Sequence, residues 1–139
     1  NDFRIDLKNT DILSLHIPLS ETTRNIISDE ELTKIKSGAI IINCARGGVL
    51  DEGALLRALE SGQLSGAGLD VFSTEPPPID GPAFAKLMDR KDIIFAPHCG
   101  AASTGAMEAM AKMAVQNILD FFDGKLESEC IFNYMELKN

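Results

Sequence analysis

Five side chains stand at positions where their chemistry exceeds what a fold requires: His16, Arg46, Asp70, Glu75 and His98. Arg46 lies between an apolar run and Gly47-Gly48, where backbone freedom suits close approach to a ligand. Its planar guanidinium matches a carboxylate better than an ammonium would. Asp70 ends the stretch GAGLD, Glu75 precedes three prolines, and His98 sits between Pro97 and Cys99-Gly100. Each has a plain alternative: a surface cation, a turn cap, a solvated loop acid, a structural hydrogen-bonder. Together they describe something else. An imidazole with a carboxylate beside it has a stabilised charged form and a fixed tautomer, and so acts as a general acid/base near neutral pH. An arginine nearby would orient a 2-keto or 2-hydroxy acid and polarise its carbonyl, so the set suits proton transfer coupled to hydride transfer.

These residues need a scaffold, and the pattern supplies one. Strands are expected at Asp11–Ile17, Ala39–Asn43, Gly66–Val71 and Ile93–Ala96. AIIIN is continuously apolar and β-branched, which predicts a strand covered on both faces. Helices are expected from Ser28, with Glu31 completing a capping box, to about Lys36; from Asp51 through EGALLRALES; at Ala83–Met88; and from Ser103 to Asp123. In the last of these, Met107, Met110, Ala114, Ile118, Phe121 and Phe122 form a face expected to pack in a core. The tail apolars Ile131, Phe132, Tyr134 and Met135 are expected to dock on something. Alternation of strand and helix implies an α/β fold with a parallel sheet, whose ligands bind beyond the carboxyl ends of the strands. His16, Arg46, Asp70 and His98 all fall at such ends.

The bulk numbers narrow the function. A chain of 139 residues with 45% hydrophobic and 24% charged residues is a globular domain, not a disordered or repetitive one. Its net charge of −8 argues against a nucleic-acid or anionic-membrane surface. No membrane span and no secretory signal are present in the sequence, and a cytoplasmic protein is expected. The three cysteines, Cys44, Cys99 and Cys130, form no CxxC pair, which predicts reduced thiols and no metal site, with Cys130 a small buried side chain.

Four stretches, SLHIPLSETT, GAIIINCARGGVLDEGALLRAL, GAGLDVFSTEPP and APHCGAAS, in this order and spacing resemble the NAD-dependent D-2-hydroxyacid dehydrogenases. The resemblance runs from Asn9 to about Gly124, and the wording of the second stretch is most similar to the D-3-phosphoglycerate dehydrogenases of serine synthesis. It implies that Arg46 binds the substrate carboxylate and carbonyl oxygen, that His98 exchanges a proton with the substrate oxygen, and that Glu75 holds His98. Asp70 would bind the nicotinamide carboxamide, and Ile17, Thr23, Cys44, Ala45, Arg46, His98 and Gly100 would also line the cofactor. His16 is expected to be structural. The implied cofactor is NAD, the substrate a small 2-hydroxy or 2-keto acid, and the assembly a homo-oligomer.

The family's GxGxxG phosphate loop is not in this sequence: Gly66-Ala67-Gly68 is followed by Val71 where the third glycine should be. The chain is therefore expected to be the carboxyl-side part, residues 1–124, of a Rossmann-type nucleotide-binding domain lacking its first βαβ unit, with 125–139 a tail that returns to a substrate domain. The strand at Asp11–Ile17 would then be an edge. Two other readings stand beside the enzyme: a non-catalytic NAD-sensing module of the corepressor kind, and an inert half-domain.

Overall fold

A computed structural model describes residues 4, 6–77 and 82–131. It contains four strands, β1 (Ile12–Leu15), β2 (Ala39–Asn43), β3 (Leu64–Leu69) and β4 (Ile93–Phe95). The main helices are α1 (Asp29–Lys34), α2 (Glu52–Glu60), α3 (Pro82–Met88) and α4 (Thr104–Phe122). The strands form one all-parallel sheet in the order β1-β2-β3-β4. This is the expected α/β, Rossmann-type arrangement. Its elements differ from expectation mainly at their ends: β1 and β4 are shorter, β3 begins and ends two residues earlier, and α1 stops at Lys34.

The starts of the helices follow the sequence signals. The carboxylate of Glu31 accepts from Ser28 N–H at 3.1 Å and Ser28 Oγ–H at 2.9 Å, and Arg4 adds a third bond at 2.7 Å. Asp51 Oδ1 accepts Ala54 N–H at 2.9 Å, and Ser103 Oγ accepts Ala106 N–H at 3.2 Å.

The chain divides into two compact units, residues 1–98 and 99–139. In the first, Leu15, Ile41, Ala67, Leu69 and Ile93 of the sheet bury together with Leu32 of α1, Leu55, Leu56 and Leu59 of α2 and Leu87 of α3. All three helices therefore pack on one face of the sheet. The opposite face carries Ile12, Ile40 and Ile94, which are 60%, 38% and 78% exposed. The expectation that AIIIN is covered on both faces is thus corrected: Ala39, Ile41 and Asn43 are buried, whereas Ile40 is exposed and Ile42 half-buried. The reason is topological. A sheet that grows in one direction through right-handed crossovers places every connecting helix on the same side.

The second unit holds α4, ended by Gly124 at φ +69°. Its apolar face is not core, contrary to expectation: Met107, Met110, Ile118, Phe121 and Phe122 are all more than half exposed. Cys130, expected to be buried, is exposed as well. Of the tail apolars only Ile131 is among the described residues. No helix of the described residues is long and apolar enough to cross a membrane.

Among the described residues strand β1 is an edge, paired to β2 alone through Ile12↔Ile40 to Leu15↔Asn43. An edge with an exposed isoleucine is a template for pairing with another chain. The 139-residue chain is expected to self-associate in sedimentation velocity at micromolar concentration, and Ile12→Lys to reduce that association; a wild-type chain that sediments as a monomer would contradict it.

Candidate active site

The chemistry collects where β2, β3 and β4 end. Beyond the regular pairing, Asp70 N–H donates to Asn43 O at 3.0 Å and Ala96 N–H to Leu69 O at 2.8 Å, so the three strands run in step into their exit loops. Asn43, one of the buried polar side chains, shapes the first loop: its Oδ1 accepts Ala45 N–H at 3.1 Å and its Nδ2 donates to Arg46 O at 3.3 Å. Arg46 then projects as an exposed side chain, its Nη1 donating to Ala45 O at 2.6 Å. At Gly47 a Cβ would lie 1.7 Å from Phe72 O and 2.7 Å from Ser73 N. The loop bearing Arg46 therefore presses backbone to backbone on the loop that leads to Glu75, and only glycine permits the contact.

Glu75 and His98 meet directly, with His98 Nδ1 2.9 Å from Glu75 Oε2. A hydrogen bond to a carboxylate requires the proton on Nδ1, which leaves Nε2 as the ring nitrogen chemically able to exchange a proton with another group. The other oxygen of Glu75 accepts Phe72 N–H at 3.2 Å. His98 has φ +50°, a left-handed conformation that side chains other than glycine rarely adopt. Two carboxylates hold it there: Glu75 at the ring and Asp70, whose Oδ1 accepts His98 N–H at 3.0 Å. A non-glycine residue kept in this region by two acids is what a functional constraint looks like.

The hydrogen bond from His98 lowers the pKa of Glu75 below the ordinary glutamate value, helped by Phe72 N–H and more weakly by the charges of His98 and Arg46, against a small opposing effect of burial. The charge of Arg46 acts on Glu75 in the same direction, as the weakest of these effects.

Two cavities flank this arrangement. One of about 290 Å³ is lined by His16, Ile17, Pro18, Cys44, Ala45 and Arg46, at the ends of β1 and β2. The other, of about 480 Å³, lies beside Glu75 and His98 and is walled by Phe72, Phe84, Phe95 and Pro77. Phe72 packs edge-on to Phe84 at 5.4 Å and stacks on Phe95 at 6.2 Å, an aromatic base under the Glu75 loop.

Of the residues singled out from sequence, Glu75, His98 and Asp70 are joined by hydrogen bonds, and Ile17, Cys44, Ala45 and Arg46 share the smaller cavity. Thr23 is not in that cavity: its hydroxyl donates to Pro18 O at 2.7 Å and accepts Ser20 N–H at 2.7 Å, folding the loop after β1. Gly100 belongs to the second unit. His16 bonds Ser14 Oγ at 2.7 Å yet also lines the smaller cavity, beside Arg46. Sequence reasoning missed Asn43 and the phenylalanine cluster as parts of the site, and read Gly47 as allowing close approach of a ligand where the structure shows close approach of the Phe72–Ser73 backbone. A polar residue closing an apolar strand was the available signal for Asn43; nothing local announces the contact at Gly47.

The sequence profile of the family described as "D-isomer specific 2-hydroxyacid dehydrogenase, NAD binding domain" matches residues 2–100. The chain belongs to this family. It is 41% identical over 125 residues to the glyoxylate reductase of Thermococcus litoralis, covering 90% of this chain and 36% of that protein. It is 39% identical to glyoxylate/hydroxypyruvate reductase B of Escherichia coli, covering 90% and 37%. The chain therefore spans little more than a third of the length of these curated relatives. Among solved structures, the NAD-complexed D-isomer specific 2-hydroxyacid dehydrogenase from Lactobacillus delbrueckii ssp. bulgaricus superposes with a TM-score of 0.80 at 32% identity, covering 89% of this chain and 40% of that one. The D-lactate dehydrogenase from Aquifex aeolicus, complexed with NAD and lactic acid, gives 0.79 at 31% identity, covering 91% and 41%.

NAD is thus the cofactor of this domain of the 2-hydroxyacid dehydrogenases. The residues present fit its nicotinamide end. Ile17 and Pro18 offer an apolar wall for a ring. Asp70 commits one oxygen to His98, and its second oxygen, without a partner among the described residues, is an acceptor suited to a carboxamide N–H.

Two outcomes follow from this geometry. Gly47→Ala is expected to destabilise the chain by about 3 kcal/mol in urea denaturation, whereas Gly105→Ala, with nothing within 4 Å of the added Cβ, leaves it unchanged or slightly more stable. Because Glu75 titrates below its unfolded value, its contribution to stability is complete above the ordinary glutamate pKa of about 4.3 and is lost as pH falls through the lower folded value. In His98→Gln the Glu75 carboxyl, followed by carbon-detected NMR, should titrate higher than in the wild type; an unmoved midpoint would mean that the dyad does not form.

Proposed function

We propose that the protein carrying this chain reduces a small 2-keto acid to its D-2-hydroxy acid with NADH, and that Arg46, Glu75 and His98 are the catalytic residues this chain contributes. The observation that carries the reading is the pairing of His98 with Glu75 at a strand end, with the loop bearing Arg46 packed on the loop that leads to Glu75. Bound NADH would supply the hydride. Arg46 would hold the substrate carboxylate and polarise the carbonyl by charge-assisted hydrogen bonds. As charge develops on the carbonyl oxygen, His98 Nε2 would give it a proton, and the imidazole would recover one from solvent after product leaves. Glu75 would stabilise the protonated ring and fix its tautomer, and Asp70, by holding the His98 backbone, would keep the ring aimed. A sensing role without chemistry has no need of this proton donor, so the dyad favours catalysis over the corepressor-like alternative.

The expected likeness to D-3-phosphoglycerate dehydrogenase gains no support from the relatives, which at 39–41% identity bear glyoxylate and glyoxylate/hydroxypyruvate reductase names. We therefore assign glyoxylate or hydroxypyruvate, rather than a phosphorylated keto acid, as the substrate class. The homo-oligomeric assembly that the family resemblance implies is proposed for the whole protein on that resemblance alone.

The test is NADH oxidation by the full-length protein against glyoxylate, hydroxypyruvate, pyruvate and a phosphorylated 2-keto acid. Turnover is expected with the first two, with kcat reduced about 10²-fold or more in His98→Gln and KM for the keto acid raised in Arg46→Lys. Absence of turnover with every 2-keto acid would end the catalytic reading.

A further inference from the structure

One carboxylate outside this machinery touches it twice. Glu52 is the first residue of α2, just after the Asp51 cap, and it reaches away from its own helix to the loop that follows β3. Its Oε1 accepts Ser73 N–H at 2.6 Å and its Oε2 accepts Ser73 Oγ–H at 2.9 Å. The preceding amide, Phe72 N–H, is the one that holds Glu75. Two consecutive backbone donors are thus each met by a carboxylate, one from α2 and one from the catalytic dyad. The Phe72–Ser73 peptide is the surface against which Gly47 packs.

We infer that Glu52 is a positioning residue for the Glu75–His98 dyad: by its two bonds to Ser73 it fixes the Phe72–Ser73 peptide on which Gly47 packs, and through the Phe72 Cα it sets the direction of the adjoining Phe72 N–H that Glu75 accepts, so locking the Arg46 loop to the Glu75 loop. The inference deepens the dehydrogenase reading and rests on it for its catalytic consequence. The structural part stands on the distances alone. A plainer role exists, since an acid at a helix N-terminus stabilises that helix through the dipole. The two roles separate by geometry, because the dipole needs only the charge, whereas the clamp needs the length of the side chain.

Three variants divide them. Glu52→Asp keeps the charge on α2 and falls one methylene short of Ser73. Glu52→Gln loses the charge and keeps the reach: its amide oxygen accepts Ser73 N–H and its amide N–H donates to Ser73 Oγ. Glu52→Ala loses both. The groups facing Glu75 are the His98 imidazole, Phe72 N–H and, farther off, the Arg46 guanidinium. The first readout is the titration of the Glu75 carboxyl by carbon-detected NMR in the chain itself, with thermal unfolding as the control for folding.

Glu52→Asp and Glu52→Ala are expected to move the Glu75 midpoint upward by a few tenths of a pH unit, as Phe72 N–H loses its aim, while Glu52→Gln does not move it upward. The sign is diagnostic: removing a neighbouring negative charge would by itself make Glu75 easier to ionise and lower the midpoint. In the full-length protein, kcat for keto-acid reduction should fall about tenfold in Glu52→Asp, with KM for NADH within about twofold, and return in Glu52→Gln. Should Glu52→Ala not fold, Glu52→Asp decides, and Ser73→Ala, which removes one of the two bonds without touching α2, should give a smaller upward shift. A folded Glu52→Asp chain with Glu75 titrating as in the wild type, or lower, overturns the inference. A wild-type protein without turnover refutes the proposed function, and the Glu75 titrations still decide the clamp.

Discussion

The site depends on a backbone contact. Parallel strands deliver their carboxyl ends side by side, about 4.8 Å apart, and the loops that leave them compete for the same space. Gly47 resolves the competition by letting the loop after β2 lie directly on the Phe72 carbonyl of the loop after β3. Asn43 bends the first loop into that contact from inside, and Phe72, stacked on Phe95, gives the second loop a floor. Arg46 and Glu75, 29 residues apart in sequence (75 − 46), are brought to neighbouring loops because those loops share this seam. Charge attraction between exposed groups is weak. The packing of main chain on main chain holds the loops that carry Arg46 and Glu75 in place, and the charges then act across a distance already fixed.

His98 shows what such a frame permits. A histidine at positive φ is held against its own preference, at a cost on the order of 1–3 kcal/mol. Here the compensation is visible in two acids on two different loops, Asp70 at its backbone and Glu75 at its ring. The strain therefore falls on a residue whose orientation matters, and the groups that offset it orient it. This division of labour separates the two carboxylates: Asp70 sets where the residue sits, and Glu75 sets which nitrogen is left to exchange a proton.

How far the sequence revealed this depended on whether each signal was local. Caps were legible because a cap is local: Ser28 with Glu31, Asp51 and Ser103 each mark a helix start within four residues. β2 was legible to the residue because AIIIN is long and sharply bounded by Gly38 and Cys44. The strand ends of β3 were misjudged because GAGLDV carries no contrast between strand and loop. The dyad was legible as two unusual residues, and the resemblance of four motifs paired them. Glu52 escaped, and Gly47 was given a ligand as its neighbour, because their contacts reach another loop and no pattern within one loop encodes its neighbour; Asn43 acts within its own loop and was overlooked as the polar end of an apolar strand. The coverage of the sheet was misjudged for a further reason: an apolar run reports what a strand can tolerate on each side, not what the topology supplies. Four strands added in one direction supply helices to one side alone.

That one-sidedness bears on where the candidate site draws its support. Every residue assigned here to proton transfer sits at strand ends or in exit loops whose support comes from the helical face: α2 through Glu52 and α3 through Phe84. The open face, with Ile12, Ile40 and Ile94, contributes nothing to the dyad. Arg46, Glu75 and His98 thus draw their geometry from a unit that packs its own core around Ile41, Leu55 and Leu87. Cofactor affinity is a different matter, because a dinucleotide extends well beyond a cavity of about 290 Å³ and its phosphates need donors of the kind a glycine-rich turn provides. The geometry of the Glu75–His98 pair and the grip on a dinucleotide are therefore separable properties of this fold.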